Sequence, residues 1–359
     1  MVDKTNVELA FVEKADPNLL RSHQFPSKLG GKPAWLSLSP IPDNKDLQCE
    51  NCGKILSFLL QVYSPIEDNE NCFHRTVFVF ICRNADCYIR NSNKNFCVFR
   101  SQLRRNNTFY STEPPTDEDE GPVAGMYQDL CVVCGFKGSK RCSRCQTVTY
   151  CSKAHQEVDW KKGHKGVCQK DLKLNFAATK AAGDLYAGVL FPEYELITEP
   201  EVLPVEEASE KSETERIKEY EEFMKSNAAA NVLPDSASKD LEKMAVSDDS
   251  QDKEFLKFKE RIKDEPEQVL RYQRNGQPLW VSGQHIPKDA DIPNCSCGAL
   301  RKFEFQIMPQ LLTYMAADSL GNSIDWGMLC VYTCSVSCDI GNNYSKEFLW
   351  KQDFSETSL

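Results

Sequence analysis

The sequence contains no apolar run long enough to span a membrane, and residues 1–14 lack the apolar stretch of a secretory signal. Motifs typical of common enzyme classes are also missing, including the Walker loop, the glycine-rich dinucleotide turn and the His-Glu-x-x-His helix. These absences argue against a membrane-spanning or secreted protein and against catalysis. We therefore expect a non-enzymatic protein of the cytoplasm and nucleus.

Histidine is scarce, with five residues, whereas cysteine is abundant, with 17. Because thiols are kept reduced in the cytosol, this many cysteines indicate metal sites before disulfides. The chain has 359 residues, which is long enough for two or three compact domains.

Eight metal-binding side chains lie between residues 131 and 168, in four closely spaced pairs. The pairs are Cys131 with Cys134, Cys142 with Cys145, Cys151 with His155, and His164 with Cys168. Tetrahedral zinc takes four thiolate or imidazole ligands, so the count fits two structural sites. A segment of about forty residues buries too little apolar surface to fold alone, and metal binding would add on the order of 10 kcal/mol per site. The spacing does not decide which pairs share an ion.

These residues, together with Tyr150-Cys151-Ser152, Gln156 and Trp160, resemble a MYND zinc finger. The resemblance implies interleaved ligands, with Cys131, Cys134, Cys151 and His155 on one zinc ion and Cys142, Cys145, His164 and Cys168 on the other. His155 stands where most such fingers have cysteine, and histidine is also a competent ligand. MYND fingers typically bind protein partners, often proline-rich peptides, which implies partner binding at Gln156 and Trp160.

The net charge of −10 is unevenly distributed. Residues 131–170 contain nine Lys or Arg and two acidic residues, so they carry about +7 and the rest of the chain about −17. A basic zinc module can indicate nucleic-acid binding. However, these basic residues are scattered through turns, and no C2H2 finger or RNP motif accompanies them. We therefore favour a solvated basic face over direct nucleic-acid binding.

Outside the finger, the chain repeats itself. Gly31-Lys32-Pro33-Ala34-Trp35 is matched 245 positions later by Gly276-Gln277-Pro278-Leu279-Trp280, and the same offset relates Gln61 to Gln306. Each copy holds two segments rich in β-branched, aromatic and aliphatic residues, which predict core strands. These segments are residues 56–63, 76–82, 303–308 and 328–333.

Each copy also carries two cysteine pairs, one before its first predicted core strand and one after its second. Antiparallel pairing would bring both pairs to the same end of the sheet. We therefore predict a further zinc site in each copy. The ligands would be Cys49, Cys52, Cys82 and Cys87 in the first copy, and Cys295, Cys297, Cys334 and Cys338 in the second. The alternative is that these cysteines are small buried packing residues, which is our interpretation of Cys72, Cys97 and Cys330.

Acidic segments of low complexity separate the predicted units. We predict an N-terminal β-rich half over residues 1–111, an acidic linker over 112–128 and the finger over 129–170. A mostly disordered acidic linker over 171–250 and a C-terminal β-rich half over 251–359 follow. An apolar segment at residues 190–196 would tether the second linker to a folded half.

The whole arrangement resembles the programmed cell death protein 2 family. The matching motifs are Gln24-Phe25-Pro26-Ser27-Lys28, Gly30-Gly31-Lys32-Pro33-Ala34-Trp35, Phe58-Leu59-Leu60-Gln61-Val62-Tyr63, Met308-Pro309-Gln310-Leu311-Leu312 and Ser323-Ile324-Asp325-Trp326-Gly327. The resemblance implies a mainly β fold with small α content, in which two related β-rich halves flank a small zinc-bound α+β MYND finger.

Family membership would further imply a chaperone that captures a newly made 40S ribosomal protein, supports small-subunit biogenesis and moves between cytoplasm and nucleus. An acidic chain suits such a basic client, and free edges of two small sheets would accept it by strand addition. The alternative function is a transcriptional or chromatin adaptor whose finger binds proline-rich peptides.

Overall fold

The computed structural model describes residues 7–66, 68–116, 120–168, 185–186, 188–202, 251–315 and 324–354. Its main feature is a closed antiparallel barrel of ten strands, in the order β1-β8-β2-β3-β4-β5-β12-β11-β10-β9. The barrel strands are β1 (Glu8–Glu13), β2 (Lys28–Leu29), β3 (Ser57–Tyr63), β4 (His74–Ile81), β5 (Phe96–Leu103), β8 (Tyr194–Pro200), β9 (Leu270–Tyr272), β10 (Arg301–Ile307), β11 (Met328–Cys334) and β12 (Tyr344–Gln352). The expected mainly β fold is confirmed.

Helices are few and short in the part of the chain that the structure describes. The finger contains the small strands β6 (Lys140–Arg141) and β7 (Thr149–Tyr150), helix α1 (Lys153–Asp159), a π-helical turn (Trp160–His164) and helix α2 (Lys165–Val167), and helix α3 (Gln251–Ile262) precedes β9. Short 3-10 helices are formed by Ser22–Gln24, Glu70–Cys72, Ala85–Cys87, Ala124–Met126, Asp289–Asp291 and Pro309–Tyr314. None of the helices in the described ranges is both long and apolar enough to cross a membrane.

Both repeats contribute strands to the same closed sheet. β5 of the first repeat pairs with β12 of the second, where Val98 lies opposite Glu347. β1 pairs with both β8 and β9, which closes the barrel. The expectation of two small sheets with free edges is therefore wrong, because the edge strands of the two repeats pair with each other.

The internal repeat is visible in the hydrogen bonds of the two related strands. The side chain of Gln61 on β3 accepts a hydrogen bond from the backbone N–H of Ala34 at 2.9 Å. Gln306 on β10 accepts the corresponding bond from Leu279 at 2.6 Å. β3 and β10 also carry a β-bulge at the matching position. The sequence repeat therefore corresponds to a repeated local structure.

Inside the barrel, alternate residues of strands from both repeats form one apolar cluster. It includes Val77 and Val79 on β4, Val98 on β5, and Leu329 and Val331 on β11. Side chains on a strand alternate between its two faces, so the same strands also present a second, outward row. One sheet thus has an inner core and covered outer faces.

Fully buried ion pairs join the two repeats. Arg75 on β4 contacts Glu304 on β10, with Nη2 and Oε2 2.6 Å apart. Arg100 on β5 contacts Glu347 on β12, with Nε and Oε1 2.7 Å apart. Burial would raise the pKa of Glu304, but the neighbouring Arg75 guanidinium lowers it to about 2. Glu304 therefore remains charged at neutral pH.

The finger covers the outer face of the first repeat. Trp35, only 2% exposed, shares an apolar cluster with Phe80 of the barrel and Phe136 of the finger. Its indole N–H donates to the carbonyl of Gly135 at 2.8 Å. Helix α3 covers the second repeat in the same way, because Phe258 packs in a cluster with residues of β10 and β11.

The predicted tether at residues 190–196 becomes part of the barrel. Phe191 is fully buried, and β8 follows it between β1 and β2. Most of the predicted second linker, 171–250, lies outside the described residues, as do positions 117–119 of the first linker. The predictions of disorder there remain predictions.

Candidate metal centres

The first metal centre of the finger lies where a cysteine-rich turn meets the start of α1. Its residues are Cys131, Cys134, Cys151 and His155, whose ligand atoms all lie within 4.8 Å of one another. The Cys134 and Cys151 sulfurs are 3.6 Å apart. His155 is held in the first turn of α1, where the hydroxyl of the N-cap residue Ser152 accepts a hydrogen bond from its backbone N–H.

The second centre lies between the β6–β7 turn and the end of the helical segment. Its residues are Cys142, Cys145, His164 and Cys168, again within 4.8 Å of one another. The Cys142 and Cys168 sulfurs are 3.7 Å apart, and His164 Nε2 lies 3.4 Å from the Cys142 sulfur. The two groups follow the interleaved pattern that the MYND resemblance implies.

The distances within both finger centres fit tetrahedral zinc. A Zn–S bond of about 2.3 Å places two sulfurs of a tetrahedron roughly 3.8 Å apart. Burial would lower the pKa of His155, but its contacts with the Cys131 and Cys151 sulfurs raise it to about 10. Sulfur and imidazole donors without open positions are typical of structural zinc.

The four cysteines predicted in each flanking repeat also come together. The first group is Cys49, Cys52, Cys82 and Cys87, and the second is Cys295, Cys297, Cys334 and Cys338, with the sulfurs of each group within 4.8 Å of one another. Each group lies beside the end of a barrel hairpin, β3–β4 or β10–β11, as the antiparallel argument predicts. All 17 cysteines lie in the described ranges, and Cys72, Cys97 and Cys330 lie outside these groups.

The residues predicted to bind partners, Gln156 and Trp160, are half-buried on α1 and the turn that follows it. Trp160 packs partly against the apolar cluster that the finger shares with the barrel. Its ring centre lies 5.8 Å from that of His164. Trp160 therefore supports the second metal centre from one side and keeps part of its surface exposed.

Some structurally important residues around the finger were missed by the sequence analysis. Buried Asp159 accepts hydrogen bonds from the hydroxyls of Tyr150 and Tyr186, both at 2.7 Å. Tyr186 follows the finger and returns to pack on it. Lys32 is half-buried beside the finger, and desolvation lowers its pKa although the nearby cysteines of the first centre oppose the shift. No sequence motif marks these contacts.

Comparison with protein families gives three matches along the chain. The family described as programmed cell death protein 2, N-terminal domain, matches residues 6–117, and its C-terminal putative domain matches residues 252–353. The MYND finger family matches residues 131–168 between them.

Similar curated proteins align over nearly the whole chain. Programmed cell death protein 2 of Mus musculus is 44% identical over 98% of this chain and 97% of its own length. Programmed cell death protein 2-like of Homo sapiens is 29% identical over 87% of this chain and 85% of its own length. Probable 20S rRNA accumulation protein 4 of Schizosaccharomyces pombe is 23% identical over 88% of each chain.

No solved structure matches this chain. The family matches, the near full-length relatives and the metal centres of the finger agree with one another. The chain belongs to the programmed cell death protein 2 family.

Proposed function

We propose that this protein is a non-enzymatic, zinc-binding chaperone that captures a newly made 40S ribosomal protein and supports small-subunit biogenesis. The observation that carries the proposal is the similarity, over 88% of the chain, to a fission yeast protein named for 20S rRNA accumulation. That name links the relative to a ribosomal RNA. A chaperone that supplies a protein to the small subunit would affect the rRNA with which that protein assembles.

The charge of the chain supports a basic client. Outside residues 131–170, the net charge is about −17. Ribosomal proteins are basic because they bind RNA phosphates, so this charge would attract the client and compete with RNA for it. Because the barrel strands pair with one another around the sheet, we expect the client to bind an outer surface and not as an added strand.

In this proposal the finger holds two zinc ions and acts mainly as a structural support. It is fixed to the first repeat by the Trp35–Gly135 hydrogen bond and by an ion pair between Lys137 and Asp43 at 2.6 Å. We place the protein in both cytoplasm and nucleus, because ribosomal proteins are made in the first compartment and assembled largely in the second.

A second candidate function is a transcriptional or chromatin adaptor. The observation in its favour is the partial exposure of Gln156 and Trp160, the positions at which the MYND resemblance implies a bound proline-rich peptide. In that case the finger would carry the interaction, and the barrel would serve as its scaffold.

Affinity purification separates the two functions. The tagged chain would be isolated from cells at moderate salt in parallel with Trp160→Ala and with Lys161→Ala, an exposed neighbour that serves as the matched control. We expect one ribosomal protein of the small subunit, free of whole ribosomes, in all three preparations. Loss of that protein from Trp160→Ala alone, with the zinc content of the variant unchanged, would move the client site onto the finger. Chromatin proteins that are lost from the same variant would establish the adaptor.

A further inference from the structure

We infer that each β-rich repeat holds a structural zinc ion of its own, in the Cys49–Cys52–Cys82–Cys87 group and in the Cys295–Cys297–Cys334–Cys338 group. Neither the family matches nor the names of the relatives assign these groups. The inference concerns the barrel and is independent of the client proposed above.

The first argument is a turn that the flanking groups share with the finger. In each case the carbonyl of the first cysteine of a pair accepts a hydrogen bond from the backbone N–H of the residue that follows the second cysteine. The bonds are Gly135 to Cys131 at 2.8 Å and Gln146 to Cys142 at 2.9 Å in the finger, and Gly53 to Cys49 and Gly298 to Cys295, both at 2.8 Å, in the repeats. A turn closed by a hydrogen bond to the first cysteine therefore presents the thiols at all four centres.

The four turns also share the backbone conformation of the donor residue. The donor residue has a positive φ in all four cases: 74° for Gly135, 61° for Gln146, 68° for Gly53 and 89° for Gly298. The left-handed region disfavours most side chains, which explains why three of the four positions hold glycine. The Cys295–Cys297 pair is one residue shorter than the others, so its turn is tighter, but it is also closed by the residue after the second cysteine.

The second argument is the distance between sulfurs. The Cys52 and Cys82 sulfurs are 3.7 Å apart, as are those of Cys297 and Cys334. The Cys295 and Cys338 sulfurs are also 3.7 Å apart. These distances equal those of the finger and approach the edge of a tetrahedron around zinc, roughly 3.8 Å. A disulfide would need about 2.05 Å, and all of these cysteines are free.

The third argument is the presence of hydrogen-bond donors at the sulfurs. In the first group, Asn84 donates its backbone N–H to Cys82 at 3.4 Å and its side-chain amide to Cys87 at 3.6 Å. In the second group, the Arg100 guanidinium lies 3.5 Å from the Cys338 sulfur. Such donors stabilise thiolates, which are the form that binds metal, and fix the ligands in position.

Arg100 gives the second group a role beyond its own repeat. It extends from β5 of the first repeat, pairs with Glu347, and also donates to the carbonyl of Cys338 at 3.3 Å. Gln102, on the same strand, donates to that carbonyl at 3.1 Å. When bound, zinc would stabilise the loop that carries Cys338, and this loop is one of the contacts between the repeats.

Counting zinc in the wild-type protein tests the inference without any variant. Native mass spectrometry of the full chain, purified without added zinc under reducing conditions, should find four ions, two in the finger and one in each repeat. A count of two ions per chain would overturn the inference. That conclusion holds whether the eight flanking thiols then react with an alkylating reagent or have formed disulfides, which would lower the mass of the denatured chain.

Variants assign the ions to the groups. Cys49→Ser with Cys52→Ser should remove one ion, and Cys295→Ser with Cys297→Ser should remove one other. Cys97→Ser, a buried cysteine outside all four groups, is the matched control and should keep four ions. Retention of four ions by both double variants would contradict the assignment. If a double variant fails to fold, the wild-type count still decides the question, and none of these readouts requires the client.

Discussion

At the scale of single residues, the surroundings of the candidate ligand Cys295 differ from those of the packing residue Cys330. Cys330 is fully buried among apolar side chains, and burial raises its pKa, so it remains a neutral thiol. Burial acts in the same direction on Cys295, but hydrogen bonds from the Cys297 backbone and the neighbouring thiols lower its pKa to about 7. The donors near the Cys295 sulfur therefore offset the effect of burial on that thiol.

His74 provides a residue-scale prediction about pH. Burial and the nearby Arg105 cation lower its pKa to about 4 from an ordinary 6.5. The folded state thus prefers neutral His74, so its contribution to stability is complete above pH 6.5 and is lost progressively as the pH falls toward 4. Part of the loss of stability between pH 7.5 and 5.5 should come from this residue.

Thermal unfolding of wild type and His74→Gln at pH 7.5 and 5.5 measures how much of the loss of stability comes from His74. Glutamine can keep a hydrogen bond to the Tyr63 hydroxyl, which lies 3.0 Å from His74 Nδ1, but it does not titrate. The melting temperature of the variant should therefore fall less on acidification than that of wild type. Zinc release at low pH affects both proteins and cancels in the comparison. Equal falls would show that His74 does not contribute.

At the scale of secondary-structure elements, the strands were easier to predict than their pairing. Residues 56–63, 76–82, 303–308 and 328–333 were predicted as core strands from their β-branched and aromatic content, and they correspond closely to β3, β4, β10 and β11. The β5–β12 pairing joins segments some 250 residues apart. Nothing local in either strand specifies that partner, so the closed barrel could not be predicted.

The candidate site was more predictable than the barrel for a physical reason. Metal ligands require particular side chains at short, fixed gaps, so pairs such as Cys131 with Cys134 are visible in the sequence. The buried ion pairs were harder to predict from the sequence. Arg75 and Arg100 are cations inside mainly apolar strands, which indicates a buried partner. Their partners, Glu304 and Glu347, are more than 200 positions away and carry no matching motif.

Strand β8 supplies an element-scale prediction. Glu201, at its end, accepts hydrogen bonds from Arg271 at 2.7 Å and Arg261 at 2.6 Å. The Glu201 and Arg271 side chains are 5% and 7% exposed. Glu201→Gln would leave Arg271 buried without its anionic partner, so it should destabilise the protein by about 1–3 kcal/mol.

Urea unfolding measures how far Glu201→Gln lowers the free energy of unfolding, with Glu199→Gln as the matched control. Glu199 lies on the same strand and is exposed, so its substitution should change the free energy of unfolding by less than about 0.5 kcal/mol. Similar effects of the two substitutions would mean that the Glu201 contacts do not hold β8 in the barrel.

At the scale of the whole molecule, the two repeats depend on each other. They share one sheet and one interior apolar cluster, and buried ion pairs connect them. A buried charge that loses its partner is strongly destabilising, whereas replacing both charges by apolar side chains is often nearly neutral. The Arg75–Glu304 pair therefore tests how the repeats are joined.

We expect Arg75→Met alone, or Glu304→Leu alone, to lower the free energy of unfolding by roughly 3–5 kcal/mol. The double variant should recover a large part of that loss, because neither charge then remains buried and unpaired. A double-mutant cycle by urea unfolding gives the coupling directly. Additive losses in the double variant would contradict a direct interaction between the repeats at this position.

The proposed chaperone function requires that the protein captures its client soon after synthesis and then releases it. Pulse labelling of cells, followed by purification of the tagged chain during a chase, tests the claim most directly. We predict one labelled ribosomal protein of the small subunit that binds within minutes and leaves during the chase, without other ribosomal proteins. Finding no labelled ribosomal protein, or a ribosomal set that persists through the chase, would contradict the claim.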